Sequence, residues 1–458
     1  MKIIIIGGVA AGAKTAAKTK RMLPDAEVHI YTKDNYVSYS ACGMPYYIAG
    51  DFQDWKQLII RTKEEFEKSG IHIHTRKKVT KIIPSEKKIF IEDIDTKALQ
   101  YEEYDKLVIS TGAEPVIPDF VKELNNIYPD NIYSSYIYPL RTLDDGIRLK
   151  QGMLKANHIT IIGGGYIAVE LVEGFVKNNK RVTLIERSQF VLSMLDEDIS
   201  APVQDYIIEH SDNLVKIINN DIVKAVSEAN NTITVSTEKG QEFCTDMVVV
   251  AAGVKPCTDI ASEAGIKLGK TGAIKVNSRM ETNIKDIYAC GDCVEKVNMI
   301  SNTPVWVPLG STANKEGRVC AINVSGGVED FEGIMGSAVL RYMDLNISRT
   351  GLTEKDALKL GYDTASVIIT KRDKAGYMPE VKNITLKLVA DRRSHKILGA
   401  QAIGCGDADK RVNTVSIGLI RGITVEELID VDLTYAPPFS TSIDILISAA
   451  QILKSKIS

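Results

Sequence analysis

One arrangement constrains this chain more than any other, because it occurs twice: a short apolar run, a glycine-rich turn, then a helix-like stretch. Lys2-Ile3-Ile4-Ile5-Ile6 leads into Gly7-Gly8-Val9-Ala10-Ala11-Gly12, and His158-Ile159-Thr160-Ile161-Ile162 leads into Gly163-Gly164-Gly165-Tyr166-Ile167-Ala168. A helix-period segment and a further strand-like run follow each copy, over 27–32 and 181–186. Strand–turn–helix–strand units of this kind build parallel sheets, so two copies predict an α/β chain with two Rossmann-like dinucleotide-binding units in tandem. At each turn, backbone N–H groups and the helix dipole would face a pyrophosphate.

The two copies differ in quality. Gly163, Gly165 and Ala168 fit the G-x-G-x-x-G/A spacing, and Glu186 ends the next strand, where a carboxylate accepts from a ribose 2′-hydroxyl and repels a 2′-phosphate. That favours NADH and leaves NADPH open, since Arg187 stands beside it. In the first copy Gly7 and Gly12 are in place, but Val9 replaces the middle glycine and Thr32 stands where the acid is expected, followed by Lys33 and Asp34. Two more strand-plus-glycine runs end at Gly112 and Gly253. Glu114-Pro115 and Lys255-Pro256 follow them, where the chain is expected to cross between domains. From about Gly326 the pattern changes to alternating strands over 365–370 and 383–389 and a helix over 408–421, an α+β third domain. The expected division is 1–113 with 250–325, then 114–249, then 326–458.

Composition narrows the function. The 458 residues carry 56 Lys+Arg against 59 Asp+Glu, a net charge of −3, which argues against nucleic acid or a polybasic membrane anchor. No apolar run approaches the roughly 18 residues of a spanning helix. Seven cysteines without framework spacing read as reduced thiols, and Met1-Lys2 runs straight into the first strand, so the expectation is a soluble cytoplasmic protein. Cys290-x-x-Cys293 has no second CxxC or histidine cluster to complete a metal site, so no metal is expected.

Asp286-Ile287-Tyr288-Ala289-Cys290-Gly291-Asp292-Cys293 resembles the flavin motif whose aspartate, here Asp292, bonds the ribityl chain of FAD. Ser38-Tyr39-Ser40-Ala41-Cys42-Gly43-Met44-Pro45-Tyr46-Tyr47 is similar to the Ser-Phe-x-x-Cys-x-x-Pro stretch of the single-cysteine pyridine nucleotide–disulfide oxidoreductases. With both glycine turns, the resemblance covers nearly the whole chain. It implies FAD and NADH as cofactors, with binding residues Gly7, Gly12, Thr32, Lys33, Ser38, Thr111, Gly112, Asp292, Ala313, Gly163, Gly165, Tyr166, Glu186 and Gly253. It also implies Cys42 as the redox centre. The position five after Cys42 is Tyr47, so the redox partner is an external thiol or a sulfenic acid. Pro45 marks a helix start that is expected to favour the Cys42 thiolate.

Within this branch the sequence looks most like the coenzyme A-disulfide reductases. The oxidases and peroxidases carry a histidine where Ala10 stands here. The segments around Tyr377 and Tyr435 resemble those that the reductases present across a homodimer to the partner's cysteine, where they hydrogen-bond or protonate the leaving coenzyme A thiolate. Lys20 and Arg21, and more distantly Arg61, match basic positions for coenzyme A phosphates. The expected activity is NAD(P)H-dependent reduction of coenzyme A disulfide, or a persulfide or polysulfide. The competing expectations are an NADH oxidase or peroxidase and a redox-sensing flavoprotein.

Overall fold

The computed structural model describes residues 1–121, 136–229 and 232–457; the 114–249 span therefore includes stretches outside the described residues. Both apolar runs become central strands of parallel sheets. In the first sheet the order is Ile287–Ala289, Lys106–Ile109, Lys2–Ile6, Glu27–Tyr31, Ile71–His74. Ile3 and Ile5 face the helices Ala11–Met22 and Gly310–Val324, while Ile4 and Ile6 face an antiparallel meander of Lys77–Ile83, Lys88–Asp93 and Leu99–Glu103. All four are buried to within 6% exposure, each contributing about 1.5–3 kcal/mol of burial. A run without polar alternation is thus covered on both sides, as parallel strands require.

The second sheet repeats the plan in the order Val215–Ile218, Arg181–Ile185, His158–Ile162, Met247–Val250, Ile137–Pro139. The two crossings predicted from Glu114-Pro115 and Lys255-Pro256 lie side by side. Ala113–Pro115 pairs antiparallel with Val254–Pro256, and Lys255 Nζ lies 3.0 Å from Glu114 Oε1. The third sheet is antiparallel, Ala338–Tyr342, Leu345–Gly351, Ile397–Gly404, Asn383–Asp391, Thr364–Arg372, with helices Ala408–Leu419 and Ile445–Ile457 in its core. The chain is therefore α/β with two Rossmann-like units and an α+β module. We propose 1–113 with 250–325, 114–249 and 326–458 as its domains, a division that the sheet memberships support.

Candidate active site

The first glycine turn is fixed by backbone crowding. Gly7 has φ +101°, and a Cβ on Gly12 would overlap the Gly7 carbonyl oxygen, so neither position accepts a side chain. Gly317 packs against the Ala11 backbone, and Thr15 Oγ1 donates to Gly317 O at 3.1 Å, joining the Ala11–Met22 helix to Gly310–Val324. Thr32 is buried at the end of its strand, and its hydroxyl oxygen accepts from Asp34 N–H at 3.2 Å. Lys33 is exposed beside it, and burial pushes the Asp34 carboxyl up. Ser38 adopts φ +49° while its N–H donates to Gly8 O at 2.8 Å, a strained conformation for a non-glycine residue set directly against the turn.

Asp292 stands on a rigid base. Lys296 and Glu316, both fully buried and 3.5 Å apart, grip the preceding residue: Glu316 Oε2 accepts from Gly291 N–H at 2.7 Å, and Lys296 Nζ donates to Gly291 O at 3.0 Å. Arg141 Nη2 donates to Asp292 Oδ2 at 2.9 Å, whereas Asp292 Oδ1 is buried with no hydrogen-bond partner. Leaving such an acceptor unpaired costs about 1–3 kcal/mol, so the site is built for a donor such as a ribityl hydroxyl. Around it, Thr111 Oγ1 donates to Cys257 O at 2.6 Å, Gly112 O accepts from Cys257 N–H at 3.0 Å, and Ala313 is buried in the first turn of Gly310–Val324. That helix has no side-chain cap at its start, so its first N–H groups stay available. These features fit FAD.

Cys42 lies in the turn Ala41–Gly43, before the helix Met44–Ala49 with Pro45 in its first turn, as expected. Its chemistry needs a correction. The thiol is solvent-accessible, yet surrounding protein desolvates it enough to push its pKa above the usual cysteine value, and the Glu170 and Asp292 carboxylates add to the rise. Arg141 opposes them, as does a hydrogen bond from the backbone at Cys42, and the rise prevails. A second helix start is also near: a Cβ on Gly310 would lie 3.8 Å from Cys42 Sγ.

Glu186 is buried, accepting from Gly164 N–H at 2.6 Å and Ser188 N–H at 2.8 Å, so the carboxylate is held at the turn. A Cβ on Gly165 would meet nothing within 4 Å, so a phosphate could approach there, and Gly253 O accepts from Val116 N–H at 2.9 Å. Tyr166 opens the helix Tyr166–Lys177. One turn on, Glu170 accepts from Tyr46 OH at 3.4 Å, and burial raises its carboxyl to about 7. The Tyr46–Glu170 contact and Arg141 were not legible in the sequence, because each depends on a neighbour more than 100 residues away.

The basic residues meet. Lys20, Arg21 and Arg61 line one cavity of about 300 Å³ with Ala17, Pro24, Ser69 and Ile71. Lys20 Nζ donates to Ala26 O at 2.8 Å, and the Arg61 guanidinium lies 4.2 Å over the Phe66 ring and donates to Glu65 O at 2.8 Å. Arg61 N–H also reaches Ser38 O at 3.4 Å, four residues before Cys42. An extended stretch of that length spans at most about 14 Å.

Tyr377 and Tyr435 stand 77% and 50% exposed, among the exposed Phe439 and Ile443. Ala375 N–H donates to Pro437 O at 3.2 Å, so their two segments are joined. Among the described residues no helix is long and apolar enough to cross a membrane.

Residues 1–317 match the family model for pyridine nucleotide-disulphide oxidoreductases, and 337–446 match that family's dimerisation domain. A NAD(P)H coenzyme A polysulfide/persulfide reductase of Pyrococcus horikoshii is 32% identical over 456 residues, covering 99% of this chain and 98% of the relative. A coenzyme A disulfide reductase of Staphylococcus haemolyticus is 28% identical over 449 residues, 97% of each chain. The solved structure of a NAD-dependent persulfide reductase from A. fulgidus aligns with a TM-score of 0.93 at 32% identity, over 100% of this chain and 83% of that one. Since the match runs through both dinucleotide units and on into the antiparallel sheet, the chain is an enzyme of the pyridine nucleotide-disulphide oxidoreductase family.

Proposed function

We propose that this chain is a homodimeric, FAD-dependent NAD(P)H oxidoreductase that reduces coenzyme A disulfide, or a related persulfide or polysulfide, through Cys42. The observation that carries the reading is the cavity in which Lys20, Arg21 and Arg61 converge beside the stretch leading to Cys42. Three cations around one concave site suit the phosphates of a nucleotide-bearing thiol, and the pantetheine arm would run along 38–42 toward Cys42.

FAD would be held by Gly7, Gly12, Thr32, Lys33, Ser38, Thr111, Gly112, Asp292 and Ala313, and when bound it would supply the two-electron relay between nicotinamide and sulfur. Gly163, Gly165, Tyr166, Glu186 and Gly253 hold the nicotinamide dinucleotide. The fixed Glu186 carboxylate would repel a 2′-phosphate and so favours NADH. The Cys42 thiolate attacks one sulfur of the disulfide. Its S–S bond breaks, a Cys42–coenzyme A mixed disulfide forms, and the departing thiolate takes a proton from Tyr435 or Tyr377 of the partner subunit. Two electrons from NADH then return Cys42 to the thiolate and release the second thiol. Ala10 offers no acid–base group at the start of the first helix, so peroxide chemistry has no protein proton donor there.

The test is steady-state NADH oxidation by coenzyme A disulfide, glutathione disulfide and polysulfide, anaerobically, with Cys42→Ser as control. The expected result is turnover with coenzyme A species, none in the variant, and flavin reduction by NADH intact in both. Equal turnover of glutathione disulfide would overturn the coenzyme A reading.

A further inference from the structure

Two exposed tyrosines on separate segments serve a common reaction only if something beneath them fixes both. The Tyr377 loop is closed at its base by Asp373, whose N–H donates to Lys382 O at 2.8 Å and whose Oδ1 accepts from Lys382 N–H at 2.8 Å. The Tyr435 segment runs into a turn in which Ser440 N–H reaches Ala436 O at 3.2 Å, and Ser440 Oγ donates to Asp444 Oδ2 at 3.1 Å. Asp444 precedes the helix Ile445–Ile457 and accepts from Leu446 N–H at 3.0 Å.

Arg411 joins these two bases. It is 8% exposed in the helix Ala408–Leu419. Its Nε and Nη2 donate to Asp444 Oδ2 at 3.2 and 2.9 Å, its Nη2 also to Asp373 O at 3.3 Å, and its Nη1 to Asp407 O at 3.3 Å. One planar fork thus holds the base of the Tyr377 loop and the end of the Tyr435 segment, which the Ala375–Pro437 hydrogen bond ties again nearer the surface. A buried ion pair adds little net stability but defines one arrangement, because lysine cannot reproduce the fork.

We propose that Arg411, with Asp444, is a positioning residue that sets Tyr377 and Tyr435 relative to one another for proton delivery to the departing thiolate. The inference rests on the tyrosine roles proposed above.

The test is a double-mutant cycle in the full-length dimer: Arg411→Lys, the double variant Tyr377→Phe/Tyr435→Phe, and all three together. Readouts are kcat with coenzyme A disulfide, KM for NADH and the rate of flavin reduction by NADH. Arg411→Lys is expected to lower kcat about tenfold, leave KM for NADH and flavin reduction unchanged, and add less than twofold in the tyrosine double variant. Should Arg411→Lys fail to fold, Asp444→Asn enters the same cycle, with the same expectation. If the tyrosine variant turns over normally, the tyrosine reading falls and Arg411 with it. If the tyrosine variant is slow but Arg411→Lys multiplies in its full loss, the tyrosine reading stands and the positioning role alone is overturned.

Discussion

Lys20→Ala isolates the phosphate-recognition part of the proposed function. In the folded chain the Lys20 amine already donates to Ala26 O at 2.8 Å, which holds it at the cavity and leaves two of its three N–H donors for a ligand. Hydrogen bonds between charged groups contribute about 1.5–3 kcal/mol, and solvent screening at an open site places this one near the lower end, about 1–2 kcal/mol. At about 1.4 kcal/mol per factor of ten, KM for coenzyme A disulfide should rise roughly 5- to 30-fold with kcat unchanged. Pantethine, the disulfide of the same arm without its nucleotide, has no phosphate for Lys20 and should show equal KM in variant and parent. The assay is NADH oxidation with each disulfide at low and high salt. The gap between parent and variant should narrow as salt screens the charges. An equal rise in KM for pantethine would refute the reasoning, because Lys20 would then be supporting the fold rather than reading a charge. Gly70→Ala provides an independent check. A Cβ there would lie 2.8 Å from Lys20 Cε, and Gly70 has φ +74°, so the variant should reproduce part of the Lys20 effect along with a lower Tm.

Three further outcomes follow from the geometry. Glu170→Gln removes a carboxylate whose pKa, raised to about 7, makes it ionise as pH climbs through neutrality. Cys42 should therefore alkylate several-fold faster in the variant at pH 8 and equally at pH 5.5, and a slower variant at pH 8 would contradict the repulsion. Gly12→Ala drives a Cβ into the Gly7 carbonyl oxygen, and purified variant protein should lack the yellow flavin absorbance; full flavin content would show that the turn relaxes. Glu186→Ala frees the Gly164 and Ser188 amides and removes the negative charge, so the NADH preference in kcat/KM should fall at least tenfold, and an unchanged NADH/NADPH ratio would count against its role.

Periodicity and glycine spacing carried the fold well, because the elements concerned are local. Ile3 to Ile6 and Met247 to Val250 are apolar without alternation, which in a parallel sheet means two covered faces, and each run is flanked by a strand on both sides. In the third domain the alternation over 365–370 and 383–389 becomes the antiparallel pair Thr364–Arg372 and Asn383–Asp391, and the helix expected over 408–421 spans Ala408–Leu419. The antiparallel meanders, Lys77 to Glu103 and Val223 to Thr245, had no distinct signal. Their strands pair with one another and lay Val79, Ile82, Ile89 and Ile91 on the first parallel sheet and Val226, Ile233 and Val235 on the second, contacts that only tertiary folding makes.

The site was legible as separate pieces and illegible as a balance of charges. Lys20 and Arg21 are neighbours in one helix, but only tertiary folding brings Arg61 to the same cavity. The effect expected of the helix start on Cys42 is outweighed by burial, to which Glu170 from the second dinucleotide unit and Asp292 from the far end of the first add, while Arg141 works the other way. Tyr166 and Glu170 lie one turn apart on a single helix, so the residue expected to cover the nicotinamide and a carboxylate that disfavours the Cys42 thiolate move as one body. Seating Tyr46 against Glu170 couples that body to the Met44–Ala49 helix. The charges acting on Cys42 therefore gather where the two dinucleotide units meet, and the local Cys-x-x-Pro stretch supplies only part of the balance.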